Sequence, residues 1–104
     1  MKHVAFKMKL KPGCEAEYER RHEALWPELA QVLRDAGIGD YSIFLDEETL
    51  TLFAVQKQRE GSTAASLSDH PTVKKWWAHM APLMEVNADL SPVTGPLREV
   101  FHLE

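Results

Sequence analysis

The most reactive pattern in this chain is a tyrosine and a histidine one helical turn apart. Tyr18 and His22 are four positions apart, and the apolar stripe they share continues through Leu25, Leu29 and Val32. An imidazole titrates near neutral pH, so His22 is a candidate general acid/base that can both give and take a proton. The position equally suits a core histidine bonded to a backbone carbonyl, and the pattern leaves both interpretations open.

Further aromatic residues are candidates for binding a polar small molecule. The hydroxyls of Tyr18 and Tyr41 can bond ligand hydroxyls, although a packed aromatic ring with its hydroxyl in solvent is the commoner case. The adjacent Trp76 and Trp77 point about 100° apart on a helix, so one ring can be core while the other lines a cleft. Indole faces suit the C–H patches of a pyranose, so the core and site interpretations of this pair are evenly balanced.

Motifs for metal binding, phosphate binding and covalent catalysis are missing from the chain. There is no Cys-x-x-Cys, no H-E-x-x-H, no glycine-rich phosphate loop and no nucleophile elbow. His3 and His102 fall in predicted strands with no visible partner, so we expect neither a metal site nor a cofactor. A run of acidic residues is interpreted as a solvated helix face rather than a carboxylate dyad: Glu15, Glu17, Glu19 and Glu23.

The elements that must position these side chains alternate between strand and helix periodicity. Pro27 is expected to kink or divide the first helix and Gly37 to cap it, while Ser62 or Thr63 is a candidate N-cap for the second. A short connection at 46–49 predicts a hairpin between the two middle strands. The predicted ranges are a strand at 3–10, a helix at 15–36, strands at 41–45 and 50–56, helical pieces at 61–70 and 71–83, and a last strand at 100–103.

This order predicts an α+β fold, the β-α-β-β-α-β arrangement of the ferredoxin-like split βαβ unit, in a single domain over residues 1–104. Both helices of that unit cover one face of the sheet. The middle strands nevertheless carry large apolar residues on both faces, with Ile43 and Leu45 opposite Phe44, and Leu52 opposite Phe53. We therefore expect a homodimer whose contact covers the open face.

Composition limits the partners and the compartment. The chain has 104 residues and a formal net charge of −4, which gives no electrostatic reason to expect nucleic acid or an anionic membrane as a partner. No apolar run approaches the roughly 20 residues that span a bilayer. The first residues lack the apolar region of a signal peptide, and the single cysteine, Cys14, suits a reducing compartment. We expect a cytoplasmic protein.

Several blocks in the right order resemble the L-rhamnose mutarotase family, and the match spans essentially the whole chain. The blocks are Tyr18-x-Arg20-Arg21-His22-x-x-x-Trp26-Pro27-Glu28, Tyr41-Ser42-Ile43-Phe44-Leu45-Asp46, Trp76-Trp77, Ser91-Pro92-Val93 and Glu99-Val100-Phe101. The resemblance implies a homodimeric, cofactor-free, cytoplasmic isomerase with a dimeric α+β barrel. It places the proton donor on His22 and the sugar contacts on Tyr18, Tyr41, Trp76 and Trp77.

Two stretches depart from the family pattern. The stretch Asn-Pro-Asp-Asn-Ser-Pro-Val has Ala88 and Leu90 in place of the proline and the second asparagine, and Glu23-Ala24-Leu25 follows the histidine where some members have Asn-Pro-Ile. The sugar implied by the resemblance is L-rhamnose, with L-fucose or another 6-deoxyhexose as the alternative.

Two rival functions share these expectations about the fold. A cofactor-free monooxygenase of the antibiotic-biosynthesis type would need a wide apolar pocket for a large aromatic substrate. A non-catalytic dimer that senses a small molecule would bind a sugar without accelerating anomer exchange. Fold alone does not separate these functions from a mutarotase.

Anomer exchange should survive chelators and need no added cofactor, because the sequence contains no metal or phosphate motif. Exchange between the two anomers is measured by NMR before and after dialysis against EDTA. Complete loss of the activity, restored by one specific metal, would contradict this expectation.

Overall fold

A computed structural model describes all 104 residues and contains a four-stranded antiparallel sheet. The strands are β1 (Lys2–Lys9), β2 (Ile38–Asp46), β3 (Thr51–Gln58) and β4 (Gly95–Leu97). They lie in the order β2-β3-β1-β4, so β3 separates β1 from β2 as in a split βαβ unit. The predicted α+β class is confirmed.

The last strand lies earlier in the chain than predicted. We expected it at 100–103, whereas β4 ends at Leu97 and the tail beyond it has no regular structure. Gly95 and Pro96 are poor strand formers, and they are tolerated here because β4 is short and lies at the edge of the sheet beside β1. The alternating residues of the tail find no neighbouring strand, so Val100 and Phe101 remain 80% and 77% exposed.

Pro27 divides the first helix, as predicted. The two pieces are α1 (Glu15–Glu23) and α2 (Pro27–Asp35). Pro27 is the first residue of α2, where its missing N–H is not needed. At the end of α2, Gly37 adopts φ +90°, and a Cβ there would lie 2.8 Å from the Arg59 side chain. The predicted glycine cap is therefore a position at which other residues would be strained.

The second helical region is also divided. A 3₁₀ helix spans Ala64–Asp69, α3 spans Pro71–Met80, and a short 3₁₀ turn follows at Ala81–Leu83. Pro71 opens α3, as predicted. The cap of α3 is His70, whose Nδ1 accepts a hydrogen bond from the Thr72 amide at 3.1 Å. Ser62 ties this region to the end of α2 by donating to the Ala36 carbonyl at 2.6 Å.

The helices pack on one face of the sheet only. Leu52 and Ala54 of β3 point into the core formed there and are 2% and 0% exposed. Phe44 and Val55 belong to the other face and are 63% and 42% exposed. None of the helices combines the length and the apolar character needed to cross a membrane. The two-sided pattern of the sequence thus produces one buried face and one open apolar face.

Candidate active site

A cleft of about 660 Å³ lies between the helices and the buried face of the sheet. This volume falls within the range typical of small-molecule sites. All five residues predicted for the site contribute to its lining: Tyr18, His22, Tyr41, Trp76 and Trp77. The fold therefore brings together side chains from α1, β2 and α3.

His22 is oriented by its own helix. Its Nδ1 lies 3.0 Å from the backbone carbonyl of Tyr18, one turn earlier. A carbonyl only accepts hydrogen bonds, so Nδ1 carries the proton and Nε2 keeps its lone pair in the neutral ring. The His22 and Tyr18 rings also pack together with their centroids 4.4 Å apart. A bond to a backbone carbonyl is what the core interpretation of His22 predicted. The same bond leaves Nε2 free to accept a proton, and His22 lines the cleft.

The surroundings of His22 favour its uncharged form. Burial lowers the pKa of His22 below its usual value of 6.5, and the bond to the Tyr18 carbonyl opposes this shift only in part. At neutral pH the ring is therefore a base with a free nitrogen. The unfolded chain binds this proton more readily than the folded one, so the group reduces stability as pH falls below 6.5.

The two tyrosines of the cleft remain protonated. Burial raises the pKa of Tyr18 well above its usual range, and the neighbouring Tyr41 raises it further. Burial also raises the pKa of Tyr41 to about 12. Tyr41 lines the cleft and is 38% exposed as a residue. Both phenols are neutral hydrogen-bond donors at physiological pH.

Trp76 lies at the centre of an aromatic cluster that includes His22. It is 9% exposed, and its ring meets His22 edge-on at a centroid distance of 5.3 Å and an angle of 88°. Trp26 and His79 pack against Trp76 at 5.1 and 5.5 Å. Trp77 is half-buried and also lines the cleft. Sequence reasoning missed the supporting positions of Trp26 and His79, since Trp26 lies outside both helices and no periodicity connects it to α3.

Arg21 joins α1 to α3 beside this cluster. Its guanidinium donates to Glu17 through Nε at 2.7 Å and to the backbone carbonyl of His79 through Nη1. Arg20 binds the same Glu17 carboxylate, and the two arginines lower the pKa of Glu17 to about 2. The arginines lie off the apolar stripe, so sequence alone indicated only solvated charges and missed this link.

The lining as a whole is mostly apolar, with 17 hydrophobic residues among 24. Besides His22 and the two tyrosines, its polar residues include Glu19, Arg34 and Asp40. Glu15 also lines the cleft, which corrects its assignment to a solvated helix face. The cleft thus combines a wide apolar cavity with a local group of proton-transfer and hydrogen-bonding side chains.

A possible metal-binding group lies elsewhere, on the other face of the sheet. His3 Nδ1 is 3.0 Å from the Glu99 carboxylate, and the His3 and His102 rings pack at 4.2 Å. Their ligand atoms lie within 4.8 Å of one another, a proximity that the sequence did not reveal. His3 alternates with the buried Met8, so it points away from the cleft. A cation bound there would not touch a molecule in the cleft.

Comparison with known proteins identifies the family. The family model described as L-rhamnose mutarotase matches residues 3–103. This chain belongs to the L-rhamnose mutarotase family. An L-rhamnose mutarotase from Brucella anthropi is 57% identical over 99 residues, which cover 95% of this chain and 93% of that one. Another from Phocaeicola vulgatus is 55% identical over 104 residues and the full length of both chains.

A solved structure extends this similarity to the fold of the family. The crystal structure of an L-rhamnose mutarotase from Formosa agariphila superposes with a TM-score of 0.93 at 52% identity, and the match covers all of both chains. The resemblance noted in the sequence is thereby confirmed. The four-stranded sheet and its helices are shared with that mutarotase.

The loop that departs from the family pattern lies beside the cleft. Leu90 adopts φ +71°, a left-handed conformation that asparagine tolerates better than leucine. The turn is closed by Asp89, whose carboxylate accepts a hydrogen bond from the Ser91 amide at 3.0 Å. Pro92 follows and contributes to the cleft lining. The loop therefore brings Pro92 to the cleft with a strained residue at its tip.

Replacing the two tryptophans of this family member should have unequal effects on stability. Trp76→Ala should lower the free energy of unfolding by about 3–5 kcal/mol, because the buried ring supports His22 and Trp26. Trp77→Ala should cost less, since Trp77 is only half-buried. Urea unfolding of both variants measures the difference. Equal losses would show that the two rings are equivalent parts of the core.

Proposed function

We propose that this chain is an L-rhamnose mutarotase, an isomerase that interconverts the α and β anomers of L-rhamnose. Family membership over residues 3–103 is the observation that carries the proposal. The cleft supports it, since a neutral histidine and two tyrosine hydroxyls lie together there. Mutarotation consists of proton transfers, and these are the groups that such transfers require.

The reaction begins with ring opening. His22 Nε2 takes the proton of the anomeric hydroxyl, and the electron pair of that O–H bond forms the C1 carbonyl as the bond from C1 to the ring oxygen breaks. The ring oxygen receives a proton and becomes a free hydroxyl. We assign Tyr41 as the donor of this second proton. Its hydroxyl group is protonated at neutral pH, and the residue lines the cleft.

Ring closure gives the other anomer. Rotation about the C1–C2 bond presents the opposite face of the carbonyl to the same hydroxyl. The protons then return, with the imidazolium of His22 acting as the proton donor to the new anomeric oxygen. Sugars mutarotate unaided in water, so two positioned proton carriers and a bound orientation are sufficient for the modest acceleration required.

The monooxygenase rival is favoured by one observation, the wide and mostly apolar cleft. Family membership weighs against it, since the mutarotase model and full-length relatives match nearly every residue. The sensor rival is separated by experiment. Saturation-difference NMR that detects L-rhamnose binding without accelerated anomer exchange would favour a binding protein.

Replacing His22 by alanine should slow anomer exchange by roughly 10² to 10⁴-fold, the usual contribution of a positioned acid/base. NMR magnetisation exchange between the anomers measures the rate, with uncatalysed exchange subtracted. In the unaltered protein the rate should be maintained down to a pH below 6.5 and then fall, because burial lowers the pKa of His22 and the imidazolium cannot accept a proton.

His102→Ala is the matched control, since His102 packs against His3 on the opposite face of the sheet. It should leave the exchange rate unchanged. Melting temperatures of both variants establish that they are folded. Near-normal exchange in folded His22→Ala protein would move the acid/base role to another residue, with Tyr18 the next candidate.

We further propose a homodimer, the assembly implied by a dimeric α+β barrel, with each subunit acting as one mutarotase domain. The open sheet face supports this assembly, since Phe44 stands beside Phe53 in the β2–β3 pair and remains 63% exposed. Exposed apolar groups of this kind are typical of interaction surfaces. A second copy of the chain would cover them. A cytoplasmic location is part of the proposal and is supported by the free Cys14 thiol.

Light scattering should give twice the chain mass of 11.8 kDa at micromolar concentration. Phe44→Lys should shift the protein toward the monomer, because it places a charge within the apolar contact. Leu90→Lys is the control, since Leu90 is an exposed apolar residue in a loop outside the sheet. A stable monomer near 11.8 kDa in the unaltered protein would rule out the dimer.

A further inference from the structure

Glu15 carries a carboxylate oxygen that is shielded from solvent and has no hydrogen-bond partner in the protein. Oε1 is the only buried side-chain nitrogen or oxygen atom left in this state. A buried polar atom without a partner destabilises the folded protein, and a charged one does so more strongly. Such a group is expected where a ligand supplies the missing hydrogen bonds.

The other acidic residues of α1 show that this state is specific to Glu15. Glu17 receives hydrogen bonds from Arg20 and Arg21. Glu23 is exposed at the end of the helix and lies outside the cleft lining. Glu19 also lines the cleft but is exposed, so Glu15 alone combines a shielded oxygen with a place in the cleft wall. The first turn of a helix favours an acidic residue, but this does not account for a shielded and unpaired oxygen.

The position of Glu15 relative to His22 determines what it can contact. Glu15, Tyr18 and His22 lie at i, i+3 and i+7 of α1, so they share one stripe that faces the cleft. Seven residues of helix correspond to about 10.5 Å along the axis. His22 works at the anomeric carbon, so a carboxylate two turns away faces the opposite end of a bound pyranose.

We infer that Glu15 is a specificity-determining residue, whose carboxylate accepts hydrogen bonds from sugar hydroxyls remote from the anomeric carbon. Those hydroxyls are the ones at C3 and C4. An ionised carboxylate only accepts hydrogen bonds and has two oxygens, so it suits a vicinal pair of hydroxyl donors. A sugar that lacks one of these hydroxyls leaves the shielded oxygen unpaired and is discriminated against.

This inference rests on the proposed mutarotase function, and it assigns Glu15 to binding rather than to proton transfer. The test variant is Glu15→Gln, which keeps the shape and removes the charge. Glu23→Gln is the matched control on the same helix. Anomer exchange is measured over a range of L-rhamnose concentrations, and melting temperature is measured on the same samples.

Glu15→Gln should raise the L-rhamnose concentration for half-maximal exchange about tenfold, because charge-assisted hydrogen bonds are roughly twice as strong as neutral ones. The maximal rate should stay unchanged, as expected for a lost binding contact. The melting temperature should stay the same or rise, since an unpaired carboxylate has been removed. Glu23→Gln should match the unaltered protein in all three measurements.

A deoxy sugar distinguishes a direct contact from an indirect effect. In the unaltered protein, 4-deoxy-L-rhamnose should need a higher concentration than L-rhamnose for half-maximal exchange. In Glu15→Gln the half-maximal concentrations of the two sugars should lie closer together. An unchanged half-saturation in Glu15→Gln, or a lowered melting temperature alone, would overturn the inference and leave the proposed function intact. Absence of exchange in the unaltered protein would overturn both.

Discussion

The interruption of the first helix at Pro27 is the constraint on which the site depends. A proline cannot donate the backbone hydrogen bond that a continuous helix would need there, so α1 ends at Glu23 and α2 starts in a new direction. The second piece, α2, is free to pack against α3 and β2. The first piece keeps its own orientation and presents Tyr18 and His22 to the cleft. Trp26, at the junction, fills the space beside Trp76.

The environment of His22 has two opposing effects on the pKa of its imidazole. An aromatic surrounding lowers the pKa of the imidazole and keeps Nε2 available to accept a proton. The same surrounding disfavours the charged form of His22, so the imidazolium is the less stable form of the ring at neutral pH. The bond from Nδ1 to the Tyr18 carbonyl limits this effect, because it stabilises the protonated ring as well as the neutral one.

Local patterns predicted most of the fold. Alternation identified β1 to β3, and Pro27, Gly37 and Pro71 marked where helices divide, end or begin, because each of these effects is set by a few neighbouring residues. The last strand was misplaced, since Gly95 and Pro96 are paired through their position beside β1 and not through any strand propensity of their own.

The candidate site was predictable to a different extent. Spacing made Tyr18 and His22 neighbours, while the family resemblance supplied Tyr41 and the tryptophan pair. The role proposed for Glu15 could not be read from the sequence. Other glutamates lie close to it on α1, and the sequence gives no reason to prefer one of them. Glu15 differs from them only in the folded protein, where one of its oxygens is shielded from solvent in the cleft. The contact between His3 and Glu99 could not be predicted either, because nearly the whole chain separates the two residues in sequence.

The arrangement of the three tryptophans makes the intrinsic fluorescence of this protein a local signal. Trp76 and Trp77 line the cleft, and Trp26 packs edge-on against Trp76. The chain has no other tryptophan. Its emission spectrum therefore reports on the surroundings of His22 and His79 rather than on the molecule as a whole. A sugar that enters the cleft displaces water from these indoles, so its binding can be followed optically without any label.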